Sequence, residues 1–211
     1  MSETQNIVAV HEGARRIMLV GEITHESAAQ VILAFISMND QQDDDGARIE
    51  TPIEFWIDSP GGSAAAAWAI VDVMQNVVDA DIVTVGLGSI SSAAILPLLF
   101  GDARLVMPHA EAMVHGVSRD LTPFPGRMDA GHYASYAKEF ETDLKSMEIS
   151  NADLIDALVE QAGWDRAAAS ACVLSGDDNR FFGGEAIVEA GLADAVFGKI
   201  GESEDDDDTK E

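Results

Sequence analysis

The chain has 211 residues, enough for one domain with a full core, and 47% of them are hydrophobic. Acidic residues number 38 against 12 basic ones, and the resulting net charge of −26 gives a surface that repels nucleic acid and anionic membrane alike. No apolar stretch reaches the roughly 18 residues of a membrane span, Met1–Val10 lacks the basic start and apolar run of a signal peptide, and a single cysteine, Cys172, excludes an internal disulfide and fits a reducing cytoplasm.

In chain order, "RRIMLVGEI" reads as a strand closed by Gly21, and "THESAAQVILAFISM" as an amphipathic helix that Thr24 can cap, its hydroxyl accepting an orphan N–H. A polar loop, "NDQQDDDGARIETP", leads to a second strand, "IEFWID", and to a helix over Ser63–Val78. The strand "DIVTVGLG" and a helix over Ala93–Phe100 follow, then the short strands "ARLVMP" and "EAMVHG". From about Met128 to Ala162 the pattern is helical, with Tyr133, Tyr136, Phe140, Leu144 and Met147 spaced by threes and fours. Ser150 with Asp153 has the form of a capping box, so this region reads as one helix or as two. A short helix at Gly184–Ala190 and a closing strand, "ADAVFG", end the ordered pattern, and the acidic residues after Gly198 are expected to be disordered. Repeated strand and helix units of this kind predict an α/β domain with right-handed crossovers.

Three places carry chemistry. "IDSPGGS" ends a strand on two glycines and enters a helix, a pattern that suits the close approach of a ligand and a tight packing turn alike. "GLGSISSAAILPLLFG" repeats the strand-to-helix change and puts Ser91 or Ser92 at a helix start, where free N–H groups favour a developing negative charge. "EAMVHG" places His115 at a strand end, and "SGDDNRFFGGEA" offers Asp177, Asp178 and Asn179 ahead of two phenylalanines. Serine, histidine and a carboxylate or amide form a candidate nucleophile, base and orienting group.

Taken in this order and spacing, "IDSPGGS", "GSISSAA", "RLVMPHAEAMVHG" and "DNRFFGGEAIVEAGLAD" make the chain from about Arg16 to Val196 resemble the proteolytic subunit of the Clp protease. The resemblance implies a ClpP/crotonase-like α/β fold, a superhelix of repeated β-β-α units from which a long handle helix protrudes. It divides the chain into a short N-terminal segment (1–15), a protease domain (16–198, with the handle at about 128–162) and an acidic tail (199–211). It implies a serine endopeptidase with Ser92 as nucleophile, Ser91 being the fallback if the register slips, and His115 as base. The N–H groups of Gly62 and Ala93 would line the oxyanion hole, with Gly61 giving room. No metal or organic cofactor is implied. The implied partners are copies of the same chain in a heptameric or stacked double ring, an AAA+ unfoldase, and unfolded polypeptide substrates, in the cytoplasm.

The sequence also departs from the family pattern. Where the family places an aspartate two residues before the aromatic, this chain has Asn179, with Asp178 beside it as the alternative third member. Pro97 falls inside the expected helix after Ser92 and should bend it. The segments Asn39–Pro52 and Met128–Ala162 look longer than usual, and the residues before the first expected strand lack the basic, tyrosine-bearing segment used around the family's axial pore. Two other readings therefore stand beside the peptidase: a catalytically weakened or inactive ring subunit, and an acyl-CoA enzyme of the crotonase type, which would need neither Ser92 nor His115.

Overall fold

A computed structural model describes residues 6–118, 129–175 and 179–198. Among the described residues eight strands form one sheet in the order β1-β2-β3-β4-β5-β8, with β6 pairing β4 and β7 closing against β6. The strands are β1 (Ile7–His11), β2 (Arg16–Val20), β3 (Ile53–Ser59), β4 (Ile82–Ser91), β5 (Ala103–Val106), β6 (Glu111–Val114), β7 (Arg180–Gly183) and β8 (Ala195–Val196). From β2 through β5 to β8 every pairing is parallel; β1 on β2 and β7 on β6 are antiparallel. The helices are α1 (His25–Asn39), α2 (Ala64–Asn76), α3 (Ile95–Leu99), α4 (Ala130–Ala162), α5 (Arg166–Leu174) and α6 (Glu185–Glu189). The α/β class read from the sequence is observed.

Local signals explain most of the elements. Along β3 buried and half-buried residues alternate, with Ile53, Phe55 and Ile57 on the core side, as a period of two requires. Thr24 caps α1 as expected: its hydroxyl accepts the Ser27 N–H at 3.1 Å, and Ser27 Oγ accepts the Thr24 N–H at 2.9 Å. Ser63 caps α2 through the Ala66 N–H. Phe35 of α1 meets Phe55 of β3 edge-on, with ring centroids 5.3 Å apart, so the first helix is pinned over the sheet.

Several elements differ from the sequence reading. The strands β1 and β7 and the helix α5 have no counterpart in it. Asp165 begins α5 by accepting the N–H groups of Ala167 and Ala168. The helix expected over Ala93–Phe100 is a 3-10 turn, Ser92–Ala94, followed by α3. Pro97 therefore sits in the first turn of α3, where a missing N–H breaks no intrahelical bond, and the expected bend has no cause. Of the two readings of the region 128–162, the single helix is the one observed. Asp129 caps α4, the helix runs without a break through Ser150, and Gly163 closes it in the left-handed conformation. At 33 residues it is about 50 Å long. Only its last third is rooted in the core, through Leu154, Ile155, Ala157 and Leu158, whereas Tyr133 and Leu144 are 62% and 56% exposed. This is the protruding helix the resemblance implied.

The feature that positions the site is a change of partner along β4. Its first half pairs β5, from Val83↔Ala103 to Gly86↔Val106, and its second half pairs β6, from Ser89↔Glu111 to Ser91↔Met113. Between Ile57↔Gly86 and Ser59↔Ile90, β4 advances further than β3, and the resulting bulge redirects the strand. Asp58 holds that bulge by accepting the Ser89 N–H at 2.9 Å. The strand read as "DIVTVGLG" consequently continues to Ser91. Residues 1–5, 119–128, the acidic tail from 199 and Asp178 lie outside the described residues.

Candidate active site

Because Ser91 and Met113 are register partners, the chain leaves two neighbouring parallel strands side by side, with Ser92 just beyond β4 and His115 just beyond β6. Ser92 Oγ and His115 Nε2 are 2.7 Å apart, hydrogen-bond distance for a hydroxyl donating to a neutral imidazole. Ser92 has φ 56, one of two non-glycine residues with positive φ among those described. A β-carbon in this region costs roughly 1–3 kcal/mol, and here it aims the hydroxyl out of the strand end at the ring. Ser91 does not take the fallback position, because its Oγ lies 2.9 Å from Ser89 Oγ. Nor does Ser91 cap the turn, which has no side-chain cap.

Both glycines of "PGG" have positive φ, 99 for Gly61 and 137 for Gly62. A β-carbon on Gly61 would stand 2.6 Å from the Ser91 carbonyl oxygen and 2.7 Å from Ser92 Cβ. One on Gly62 would stand 2.4 Å from the Ile23 carbonyl oxygen. The close approach that demands glycine is thus the chain's own backbone: the turn through Ser92 crowds Gly61, and the segment entering α1 crowds Gly62. That segment is fixed by the Ile23 N–H donating to the Gly61 carbonyl at 2.7 Å and the Ser63 N–H donating to the Ile23 carbonyl at 2.8 Å.

Gly62, Ser92, Ala93 and His115 border one cleft of about 450 Å³. Trp68, Leu96, Met113 and Leu154 give it apolar walls, and among the described residues Glu22 is its only charged lining residue other than the titratable His115. Ala93 lies in the first turn after β4, where helical geometry leaves N–H groups without intrahelical acceptors. None of these apolar walls was singled out in the sequence, since Trp68 or Leu154 at helical spacing reads as ordinary core.

Burial of the His115 ring lowers its pKa below the ordinary imidazole value, because desolvation disfavours the cation. The neutral, proton-accepting form therefore persists into weak acid. If His115 is the base, kcat/KM should rise with pH along a single-proton limb whose midpoint lies below about 6.5. A midpoint at or above that value would contradict the burial effect.

Asn179 and His115 border a second, adjoining cavity of about 430 Å³, together with Asn151 and Cys172. Among the described residues, the ring of His115 makes its hydrogen bond with Ser92 and none with Asn179. The alternative, Asp178, and its neighbour Asp177 lie outside the described residues. The remaining histidines stand apart, as the sequence implied. His11 accepts an N–H in its own turn, His132 pairs with Asp129 at the start of α4, and His25 and His109 are exposed. Among the described residues no cluster of His, Cys, Asp and Glu could hold a metal, and no helix is long and apolar enough to cross a membrane.

The model of the Clp protease family matches residues 2–199. The chain belongs to the Clp protease family. It is 29% identical over 198 residues to the ATP-dependent Clp protease proteolytic subunit 2 of Tropheryma whipplei, covering 93% of this chain and 98% of that one. It is also 29% identical over 153 residues to the proteolytic subunit 2 of Treponema denticola, covering 72% of this chain and 67% of the relative. An asparagine-to-aspartate mutant of ClpP1 from Listeria monocytogenes superposes with a TM-score of 0.70 at 19% identity, covering 88% of this chain and 92% of the other. That likeness shows the ClpP fold, with its mixed sheet and helices, in agreement with the resemblance read from the motifs.

Proposed function

We propose that this Clp protease family member is a serine endopeptidase that cleaves unfolded polypeptides. The observation that carries the reading is the 2.7 Å pairing of Ser92 Oγ with His115 Nε2 at two adjacent strand ends. On this reading the Ser92 hydroxyl gives its proton to His115 as Oγ attacks the scissile carbonyl. The negative charge then develops between the N–H groups of Gly62 and Ala93, with Gly61 leaving the turn room to form. The imidazolium returns the proton to the departing amine, and water repeats the cycle on the acyl-enzyme. An acyl-CoA enzyme would leave the serine–histidine pairing without a purpose. A fluorophosphonate probe separates the two, since only an activated serine is labelled.

Assembly is part of the proposal. An exposed apolar stretch on α4, including Tyr133 and Leu144, supports contact between copies of the chain in a ring or stacked double ring. An AAA+ unfoldase is the partner proposed to feed that chamber. The single cysteine and the acidic composition fit work in the cytoplasm. Mass measurement of the assembled species, with and without an unfoldase, tests this part.

For the third member of the triad we keep Asn179 ahead of Asp178. An amide oxygen can orient the imidazole but stabilises the imidazolium less than a carboxylate does. Asn179→Ala is expected to lower kcat by about 10²-fold, and Asp178→Ala by less than tenfold. The reverse order in steady-state rates would assign the role to Asp178. A weakened or inactive ring subunit is favoured by the lack of an Asn179–His115 hydrogen bond among the described residues; it requires rings that form normally and never take up the probe.

A further inference from the structure

We propose that Asn151, which borders the second cavity behind His115, is the positioning residue that holds the His115 segment in place. The inference rests on the serine-peptidase reading above.

Sheet pairing stops one residue short of the histidine. Val114 is the last residue of β6, pairing with Arg180 of β7, and the chain from His115 to Ser118 belongs to no strand. A ring meant to accept a proton at 2.7 Å needs its backbone fixed by something else. Two helices supply it. From α4, Asn151 Oδ1 accepts the Val117 N–H at 2.7 Å. From α5, the Val173 carbonyl oxygen presses against Gly116 so closely that a β-carbon there would stand 2.0 Å away. The segment is thus gripped on one side by a directed hydrogen bond and on the other by packing.

Asn151 is itself well anchored. Leu154, Ile155 and Leu158, at three, four and seven residues further along α4, are all buried, so they lie on the same helical face and root it in the core. Only the amide oxygen of the side chain can accept from a backbone N–H, which fixes the orientation of the group. Among the described residues, rotation about Gly116 is checked without this bond only by packing, and the Ser92–His115 distance is free to lengthen. A displacement of about 1 Å in a reacting group typically costs on the order of 10²-fold in rate. Val117 and Ser118 of the segment and Leu154 of α4 line the cleft beside Trp68, Leu96 and Met113, so KM can shift as well, and the diagnostic loss is the one in kcat that an acceptor oxygen at position 151 restores.

Asn151→Leu keeps the branching and the number of heavy atoms and removes the acceptor; Asn151→Asp keeps an acceptor oxygen at the same place. Steady-state hydrolysis of a fluorogenic peptide by the assembled full-length protein is expected to show kcat down by roughly 10- to 100-fold in Asn151→Leu. Asn151→Asp is expected to stay within about threefold of the wild type at neutral pH. Equal rates for Asn151→Leu and wild type, or an equal loss in both variants, would overturn the proposal. Amide hydrogen exchange of the peptide spanning His115–Ser118 supplies a readout independent of turnover and of the variants' folding. The Val117 amide of the wild type should be protected, and exchange at the rate of an open loop would likewise overturn it. A wild-type protein that neither hydrolyses peptide nor takes up a fluorophosphonate would sink the peptidase reading instead, while the exchange result would still judge the Asn151 tie.

Discussion

Ser92→Ala should remove peptide hydrolysis almost completely, by on the order of 10⁶-fold in kcat, the scale on which a catalytic serine acts when base and oxyanion donors remain in place. The substitution deletes one oxygen and one hydrogen bond, the 2.7 Å contact with His115, worth about 0.5–1.5 kcal/mol. It keeps the β-carbon, so the strain of the left-handed turn at φ 56 is unchanged. The variant should therefore fold and assemble like the wild type, which separates loss of chemistry from loss of structure. Rates measured with a fluorogenic peptide, beside a thermal melt, check both halves. Residual activity within 100-fold of the wild type would mean that another group attacks the carbonyl.

The second large effect is expected at Gly61. Replacing it with alanine forces a side chain into a residue at φ 99, and its β-carbon would lie 2.6 Å from the Ser91 oxygen, 2.7 Å from Ser92 Cβ and 3.0 Å from the Ala93 nitrogen. None of these atoms belongs to a flexible side-chain end. The turn that aims the nucleophile must shift, and the conformational strain alone costs about 1–3 kcal/mol. Because the displaced atoms are those of the proposed nucleophile and one oxyanion donor, kcat should fall by at least about 10²-fold. The melting temperature should drop as well. Wild-type rates in Gly61→Ala would show that the turn can yield without moving Ser92, and that the glycine serves packing alone.

The contrast between Gly61 and Gly62 illustrates what the sequence could and could not say. Two glycines after a strand announce a close approach, but the neighbour comes from segments distant in sequence: 91–93 for one, 22–23 for the other. The motif suits a ligand's approach and a tight packing turn alike, and the space a β-carbon would take at each glycine is filled by the protein itself. His115 was legible at the end of an apolar strand and the pair Ser91 and Ser92 at a helix start, the choice of Ser92 coming from the family resemblance, whereas the meeting of Ser92 with His115 follows from the parallel register of β4 and β6. The extension of β4 to Ser91 was not legible. It depends on a bulge over Asp58 and a change of partner, which no local pattern encodes. The long helix was visible in its apolar spacing, yet its continuity through Ser150 was not, since the apparent capping box there competes with an unbroken run free of glycine and proline from His132 to Ala162. Asn151 shows the same limit from the other side: a lone amide on a helix carries no signal until its partner, the Val117 N–H, is seen.

The central claim is that the hydroxyl of Ser92 is activated by the ring of His115, and the most direct measurement is the site of covalent modification by a fluorophosphonate in the assembled wild-type protein. Peptide mapping by mass spectrometry should find a single adduct on Ser92, and His115→Ala should lose it although the serine is intact. An adduct on Ser91 or Ser63, or none at all on a protein that forms rings, would contradict it.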